Sequence, residues 1–328
     1  MDVLVTGGAG FIGGHIAERL VTKDHHVRVL DNLEPYYDLG IKEHTIETCR
    51  TAAAGEAGEY EFIEGSITDA DVVENALANV DVVYHQAAQA GVRASVEEPV
   101  RVNQYNVDGT LTVLEAARQE DVQRVVFASS SSVYGKPRSL PYHEAHPTTP
   151  VSPYGVSKLA AEHYTRLYHD LYGLPTVSLR YFTVYGPRMR PNMAMTNFVS
   201  RCLHGESPVI YGDGSQTRDF TYIDDILRVN EQLLTDNRAD GEILNLGSTD
   251  TIDITTLATI IRDAIDEELS IEYDAKRVGD AEHTHADVSK AADLLDYEPT
   301  VSITDGVSRF IDWYRQNESW YDPLVRSS

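Results

Sequence analysis

A tyrosine and a lysine four residues apart, Tyr154 and Lys158, have the side chains in this sequence best suited to acid–base chemistry. If the segment is helical, positions i and i+4 lie on one face, so the phenol and the ammonium act on the same volume. Lowering a phenol pKa from about 10 to neutrality takes about 4 kcal/mol of preferential phenolate stabilisation. One ammonium about 4 Å away contributes roughly that much at an effective dielectric near 20. The pair therefore predicts a general base, although Y-x-x-x-K is also a frequent accident on helix surfaces.

A glycine-rich turn near the start of the chain predicts a dinucleotide site. Val3–Thr6 has the pattern of a short buried strand, the G-x-x-G-x-x-G of Gly7–Gly13 follows it, and an amphipathic helix is predicted at His15–Val21. Strand, glycine turn and helix let the backbone approach a pyrophosphate at the helix N-terminus. The next predicted strand, Val27–Leu30, is followed by Asp31, whose position suits a carboxylate that holds the adenosine ribose hydroxyls. Because Asp31 would repel a 2′-phosphate, the sequence predicts NAD rather than NADP.

The charge balance is strongly acidic. The 52 acidic side chains against 27 basic ones leave a formal charge of −25, which disfavours binding to nucleic-acid phosphates and to anionic membranes. Such a carboxylate-rich surface resembles the adaptation of proteins from salt-loving archaea, where screening lengths fall to about 3 Å near 1 M salt. We therefore expect no nucleic-acid or membrane partner, and a halophilic host with a salty cytoplasm.

Cysteine and histidine usage predicts neither a disulfide nor a metal site. Cys49 and Cys202 lie far apart and outside any C-x-x-C motif. The pairs in His143–His146 and His283–His285 are closely spaced and lack a nearby third ligand, which is typical of solvated loops. The chain opens on Met1 without a basic segment, and no run of about 18 apolar residues follows. These features predict an unprocessed, cytoplasmic protein without a metal.

Strands and helices alternate along the first part of the chain, which predicts an α/β fold with a doubly wound parallel Rossmann sheet. Apolar strands are predicted at 60–63, 80–84, 124–128 and 176–181, and helices at 70–77, 106–118 and 153–172. Residues 33–58 carry little pattern and are expected to form a surface helix and loop without chemistry. Beyond Tyr185 the elements shorten and become mixed. We expect an NAD-binding domain at 1–182 and a smaller mixed α/β substrate subdomain at 183–328, some of whose segments return to the first domain.

Four consecutive serines, Ser129 to Ser132, directly follow the predicted strand that ends at Ala128. Ligands of doubly wound sheets bind beyond the carboxyl ends of the strands, so these hydroxyls are expected to face the nicotinamide end of the cleft. A serine in that position can hold a substrate hydroxyl. A serine-rich turn that caps its own backbone would give the same pattern.

These motifs, in this order, resemble those of the extended short-chain dehydrogenases/reductases, specifically the NAD-dependent nucleotide-sugar epimerases similar to UDP-glucose 4-epimerase and UDP-glucuronate 4-epimerase. The resemblance covers nearly the whole chain. It rests on Gly7–Gly13, Asp31, the serine run before Val133-Tyr134-Gly135, Tyr154-x-x-x-Lys158, Arg180–Pro187, Tyr211–Gly214, Arg218–Phe220, and Arg277 with Gly279-Asp280. It implies an NAD-dependent isomerase that inverts C4 of a UDP-sugar through a transient 4-keto intermediate.

The resemblance implies three catalytic residues. Tyr154 would remove the proton from the C4 hydroxyl, Ser130 would hydrogen-bond that oxygen, and Lys158 would support the phenolate and bind the nicotinamide ribose. The cofactor-binding positions of the family correspond to Gly7, Gly10, Phe11, Ile12, Gly13, Asp31, Asn32, Ser66, Ile67, Ala87, Ala88, Asn106, Tyr154 and Lys158. Ser66 replaces the aspartate that is usual there, which leaves the adenine contacts open.

The same resemblance implies a set of nucleotide-sugar contacts. Arginine suits them, because a UDP-sugar brings two phosphates that guanidinium binds bidentately. The positions are Arg93, Ser130, Thr183, Arg190, Asn197, Tyr211, Arg218, Arg277 and Asp280. Ser131 and Ser132 replace the Asp-Glu of the related dehydratases, so elimination of water is not expected.

The preferred sugar stays open at this level. Thr183 stands where bacterial glucose/galactose enzymes carry asparagine, whereas Ala90–Arg93 and Arg188–Ala194 resemble segments of UDP-glucuronate 4-epimerases. An arginine of either segment could meet a C6 carboxylate, a neutral hexose is equally compatible, and the small Thr284 does not exclude N-acetylated sugars. A reductase or dehydrogenase that releases NADH and a non-catalytic NAD-binding regulator are the remaining alternatives.

The resemblance also implies a homodimer. Helices that begin near Asn106 and Pro153 would pair across a two-fold axis as a four-helix bundle. An apolar stripe that core packing explains equally well is formed by Val107, Leu111, Leu114 and Ala117.

Overall fold

The computed structural model describes residues 1–55, 58–275 and 282–327. The strands within these ranges are β1 (Asp2–Thr6), β2 (His26–Asp31), β3 (Glu59–Glu64), β4 (Val82–His85), β5 (Arg124–Ser130), β6 (Thr176–Tyr181), β7 (Thr183–Tyr185), β8 (Val209–Tyr211), β9 (Thr217–Arg218), β10 (Phe220–Tyr222), β11 (Ile243–Leu246), β12 (Ile252–Asp253) and β13 (Glu272–Asp274). Every residue of β5 is buried, as is usual for a strand covered on both faces of a parallel sheet.

The α-helices of the same ranges are α1 (Phe11–Val21), α2 (Leu39–Gly55), α3 (Ala70–Leu77), α4 (Val92–Glu97), α5 (Pro99–Asn103), α6 (Gly109–Gln119), α7 (Pro153–Tyr172), α8 (Ala194–Leu203), α9 (Ile223–Gln232), α10 (Ile254–Ile265), α11 (Ser289–Leu295) and α12 (Ile303–Arg326). A π-helical turn at Gln104–Asp108 joins α5 to α6. The helix predicted at 106–118 therefore begins as this wider turn, which includes Asn106.

A seven-stranded parallel sheet organises the molecule, with the order β11-β6-β5-β4-β1-β2-β3. Successive side chains of a strand point to opposite faces of the sheet. Accordingly Val3 and Val5 pack into one hydrophobic core with α1 and α9, whereas Leu4 packs into the other with α3 and α6. The predicted doubly wound α/β sheet is confirmed.

The order of the strands reverses at β1, which pairs with β2 on one side and with β4 on the other. In open α/β sheets, ligands bind beyond the carboxyl ends of the strands at such a switch point. β11, from the later part of the chain, extends the sheet next to β6. The division into domains at residue 182 stays a prediction.

The segment between β2 and β3 differs from the expected surface helix and loop. α2 packs against α1, and Ile41 and Cys49 are completely buried in the core between them. Lys42 is also buried, and its ammonium donates a hydrogen bond to Asp31 at the end of β2. Residues 33–58 were expected to carry no chemistry, but Lys42 lines the candidate site.

Candidate active site

The carboxyl ends of β1, β4, β5 and β6 open into a large cleft with a volume of about 710 Å³. A cleft of this size is within the range of small-molecule and cofactor sites. The glycine turn after β1, the serine run after β5 and the N-terminal part of α7 all contribute to its lining. Three separate parts of the sequence therefore meet around one volume.

The glycine turn brings the backbone close to the neighbouring strand. Gly7 has φ +71°, and a Cβ there would lie 2.7 Å from the Ala87 backbone. A Cβ at Gly13 would lie 2.5 Å from the carbonyl oxygen of Gly7. α1 begins at Phe11 without a side-chain cap, so its first N–H groups remain available to an anion at the helix N-terminus. The geometry fits a pyrophosphate, as the motif predicts.

Asp31 lies at the end of β2, in the lining of the cleft. Its carboxylate accepts hydrogen bonds from the backbone N–H groups of Ala9 at 3.2 Å and Leu33 at 2.9 Å. Lys42 from α2 forms an ion pair with the same carboxylate at 3.2 Å. This cation partly balances the buried charge, and it was not identified in the sequence because no motif links it to Asp31.

Tyr154 and Lys158 lie on α7, whose first turn is capped by the hydroxyl of Ser152, an acceptor for the backbone N–H of Gly155 at 3.1 Å. The Lys158 ammonium donates to the carbonyl oxygen of Ala128 at 2.8 Å. Burial lowers the pKa of Lys158 to about 7, because the apolar surroundings disfavour the charged form. Ser130, the last residue of β5, lines the same cleft as Tyr154.

Burial raises the pKa of Tyr154, whereas the hydrogen bond from Ser130 and the positive charge of Arg190 lower it. Arg190 comes from the loop between β7 and α8. Arg190 is thus a cation whose charge acts on the phenol, and Lys158, on the same helix as Tyr154, donates its hydrogen bond to the Ala128 carbonyl. A local i, i+4 argument could not identify an arginine that reaches the site from another loop.

Most of the predicted site residues line this cleft. They are Gly7, Gly10, Phe11, Ile12, Gly13, Asp31, Asn32, Ile67, Ala87, Ala88, Arg93, Ser130, Tyr154, Lys158, Thr183, Arg190, Asn197, Tyr211 and Arg218. Ser66 is turned away, and its hydroxyl hydrogen-bonds that of Thr68 at 2.8 Å. The Thr284 hydroxyl accepts a bond from the Asp219 backbone N–H at 3.2 Å. Arg277 and Asp280 lie outside the described residues.

Asn106 lies behind the cleft. Its amide donates to the Ser157 hydroxyl at 2.9 Å and, with its oxygen, accepts from the backbone N–H of Gln89 at 2.8 Å. Ser157 adjoins Lys158 on α7, and Gln89 lines the cleft. The structure therefore places Asn106 as a bridge between α7 and the segment after β4, which differs from the predicted cofactor-lining position.

A buried histidine, His85 on β4, connects β1 to α6 through hydrogen bonds. The Thr110 hydroxyl donates to the carbonyl oxygen of Asn106 at 2.7 Å, so it accepts from His85 Nε2 at 3.0 Å. His85 Nδ1 then accepts from the Thr6 hydroxyl at 2.7 Å, and Thr6 accepts from the Ala87 backbone N–H. Burial lowers the pKa of His85 to about 3, which keeps the imidazole neutral. The chain of hydrogen bonds fixes the backbone beside the glycine turn.

Several residues that line the cleft were not identified in the sequence. Tyr36 and Tyr37 come from the segment between β2 and α2, Lys42 comes from α2, and Gln86 and Gln89 follow the end of β4. The only sequence feature that could have indicated these residues is the pair of adjacent tyrosines, Tyr36 and Tyr37, a few residues after Asp31. It has no periodicity, and tyrosine in a loop usually needs no functional explanation.

The family model described as GDP-mannose 4,6 dehydratase matches residues 4–310. The chain belongs to this family. Its members include extended short-chain dehydrogenases/reductases that act as nucleotide-sugar 4-epimerases, and the predicted membership and enzyme class are confirmed.

The relatives include proteins named as UDP-glucuronate 4-epimerases and proteins named as UDP-glucose 4-epimerases. A UDP-glucuronate 4-epimerase of Thermodesulfobacterium geofontis is 38% identical over 319 residues, which cover 96% of each chain. The crystal structure of UDP-glucuronic acid 4-epimerase from Bacillus cereus with UDP-glucuronic acid and NAD is 37% identical, with a TM-score of 0.88 over 96% of this chain and 99% of that one. The UDP-glucose 4-epimerase of Thermotoga maritima with UDP-glucose is 33% identical, with a TM-score of 0.88 over 97% and 100%.

Proposed function

We propose that the protein is an NAD-dependent 4-epimerase of UDP-hexuronates, which interconverts UDP-glucuronate and UDP-galacturonate through a transient 4-keto intermediate. The observation that carries the uronate assignment is the position of Arg190, which lines the same cleft as Tyr154 and Ser130. Family membership supports the epimerase class. The choice of a uronate over a neutral hexose rests on Arg190 alone.

NAD is the cofactor, and the residues of the cleft fit it. The turn at Gly7–Gly13 and the uncapped start of α1 would hold the pyrophosphate, and Asp31 would hold the adenosine ribose. Lys42 offsets the charge of Asp31 and binds one of its oxygens, whereas the other oxygen accepts from the Ala9 backbone N–H and keeps a lone pair for a hydroxyl donor. Bound NAD supplies the hydride acceptor for C4.

Side chains of this protein carry out the proton transfer at the C4 hydroxyl. Tyr154, as phenolate, accepts the proton of the C4 hydroxyl, and Ser130 donates to the same oxygen as it becomes a carbonyl. Lys158 lies one turn further along α7, at the end of β5 that carries Ser130. The keto sugar must turn its other face before hydride returns, which inverts C4 with no net redox change.

Chemistry links Arg190 to a uronate in particular. C6 is bonded to C5, the neighbour of C4, so a C6 carboxylate lies close to the carbon on which Tyr154 acts. A guanidinium beside that phenol can bind the carboxylate with two parallel hydrogen bonds. The other predicted candidate, Arg93, is exposed at the cleft lining. The position of Arg190 therefore favours it as the carboxylate partner.

We expect Arg190→Met to lower kcat/KM for UDP-glucuronate about hundredfold, because the variant leaves a carboxylate in the cleft without its charge-assisted hydrogen bonds. The kcat/KM for UDP-glucose should change by less than about fivefold, since C6 then bears a neutral hydroxyl. Chromatographic separation of the C4 epimers measures both substrates side by side.

Arg93→Met is the matched control and should leave the ratio of the two substrates within about threefold. Faster turnover of UDP-glucose than of UDP-glucuronate by the unmodified protein would contradict the uronate assignment. Turnover of neither would contradict the epimerase proposal, and a net rise in NADH absorbance would indicate a dehydrogenase.

We also propose a homodimer through one exposed apolar face. Large apolar side chains on α7 follow helical spacing, and Val96 and Val100 lie on α4 and α5, which pack beside α7. The exposed residues of the α7 stripe are Val156, Tyr164, Leu167 and Leu171. The stripe proposed from the sequence has a different role, since Val107, Leu114 and Ala117 are buried in the protomer.

Leu171→Glu should convert the dimer to a monomer, because it places a charge in the desolvated interface. Leu171 is 63% exposed in the protomer, so the variant should fold. Sedimentation in high salt measures the mass. Tyr273→Glu, at a similarly exposed tyrosine on β13, is the control and should remain dimeric. A monomeric parent protein would overturn the proposal.

The expected cytoplasmic location, salty host and absence of nucleic-acid partners stay predictions. Among the described residues, no helix is long and apolar enough to cross a membrane. Over the same ranges, no group of three or more His, Cys, Asp and Glu side chains is arranged to hold a metal ion.

A further inference from the structure

The loop between β2 and α2 carries two aromatic side chains into the cleft. We name residues 32–38 the tyrosine loop, and its Tyr36 and Tyr37 rings lie 6.5 Å apart at 72°. Lys42 Nζ lies 5.8 Å from the Tyr37 ring and also pairs with Asp31. The Arg190 guanidinium lies over the Tyr36 ring at 5.7 Å. A continuous series of contacts therefore runs from the ribose carboxylate to the arginine at the sugar end.

Tyr36 lies at the end of the cleft where the sugar is proposed to bind Arg190. Its hydroxyl occupies the space beside Gly91, where φ is +109° and an added Cβ would collide with it. Tyr36 also acts on the pKa of Tyr154, which it raises. Tyr36, Gly91, Tyr154 and Arg190 all line the cleft. The ring is thus next to both the catalytic phenol and the arginine.

The contact with Tyr36 leaves the hydrogen-bonding edge of Arg190 available. Guanidinium stacks on an aromatic ring through its face, whereas its N–H groups point outward in its plane and match a carboxylate. An ion pair with a protein carboxylate would occupy those same donors. Among the residues that the structure describes, the polar contact of the Arg190 side chain is with the sulfur of Met193 at 3.8 Å, which is a weak acceptor.

The tyrosine loop is anchored through Glu34, so it can hold a fixed position for Arg190. Glu34 forms an ion pair with Arg101, and its backbone N–H donates to the Asn32 side chain at 3.2 Å. The Tyr36 backbone N–H donates to the Glu34 carbonyl oxygen at 2.8 Å. A long arginine side chain loses rotamer freedom on binding, and an anchored ring that already restrains it reduces that loss.

We propose that Tyr36 is a positioning residue for substrate specificity, which stacks on Arg190 and presents its guanidinium edge to the C6 carboxylate of a UDP-hexuronate. The inference rests on the proposed function. It assigns to Tyr36 no proton transfer and no direct bond to the sugar, so its effect passes through Arg190 alone.

The test compares binding of UDP-glucuronate and UDP-glucose by calorimetry to the NAD-loaded protein carrying Tyr154→Phe, in which the substrates are not converted. Tyr36→Leu should weaken UDP-glucuronate about three- to tenfold, as expected for loss of one cation–π contact. UDP-glucose should stay within about twofold. Tyr36→Phe keeps the ring and should restore the affinity for UDP-glucuronate.

Combination with Arg190→Met separates the possible outcomes. When Arg190 is absent, Tyr36→Leu should cause no further loss of UDP-glucuronate affinity, because the two residues act as one unit. Equal weakening of both ligands by Tyr36→Leu, or an undiminished effect in the Arg190→Met background, would overturn the role of Tyr36 and leave the proposed function intact. Equal weakening of both ligands by Arg190→Met would overturn the uronate assignment and the role of Tyr36 with it.

Discussion

Tyr154→Phe is expected to lower the rate of C4 epimerisation by about 10³-fold or more, because the variant has no group to accept the C4 proton. Tyr154 is half-buried in the cleft, where desolvation raises the pKa of its phenol and the Ser130 hydroxyl and the Arg190 charge lower it. Phenylalanine keeps the ring and its packing, so binding of NAD and UDP should change by less than about twofold. Turnover is measured by separation of the C4 epimers, and binding is measured by calorimetry.

Tyr164→Phe is the matched control, since Tyr164 lies on the same helix and is partly exposed. It should retain the parental rate. A residual rate above about a tenth of the parental one in Tyr154→Phe would exclude Tyr154 as the base. Loss of NAD binding in the variant would instead indicate that the phenol supports the cofactor site.

The elements of the fold that could be predicted carry their signals in adjacent residues. α7 begins and ends at the predicted residues, 153 and 172, because Ser152 caps it, Pro153 fits its first turn and Gly173 ends it with φ +71°. α3 likewise matches 70–77, with Asp69 as its cap. The π-helical turn at 104–108 has no such local signal, and it depends on contacts with α7.

The candidate site shows the same limit in its side chains. Asp31, Ser130 and Tyr154 meet in one cleft because the first two end strands, and the third lies in the first turn of a helix, at the same edge of the sheet. Arg190 and Tyr36 meet through two irregular loops that are far apart in the sequence. Neither loop has a period or a cap from which its path could be inferred, so the stacking that links them is visible only in three dimensions.

A buried ion pair next to the proposed catalytic residues carries the largest expected effect on stability. Arg180 donates to both carboxylate oxygens of Glu162, at 2.9 and 2.6 Å. The Ser129 hydroxyl donates to the same carboxylate at 2.6 Å, and Arg180 also donates to the Tyr134 hydroxyl at 2.8 Å. The side chains of Glu162 and Arg180 are 1% and 3% exposed, so water cannot replace either partner.

Glu162→Gln should lower the free energy of unfolding by about 3–5 kcal/mol, because it leaves the Arg180 charge buried without its counter-charge. Urea unfolding followed by tryptophan fluorescence measures the change. Asp170→Asn is the control on the same helix, since Asp170 forms an exposed pair with Arg166 in which the side chains are 55% and 59% exposed. It should cost less than about 1 kcal/mol.

The double variant Glu162→Leu/Arg180→Met tests whether the loss comes from an unpaired charge. Removing both charges also removes the desolvation penalty, so the double variant should be more stable than Glu162→Gln. A loss that simply adds the effects of the two sites would contradict this account. Because Ser129, which hydrogen-bonds Glu162, immediately precedes Ser130, we also expect Glu162→Gln to lower kcat more than it raises KM. A change in stability without any change in kcat would confine the pair to a structural role.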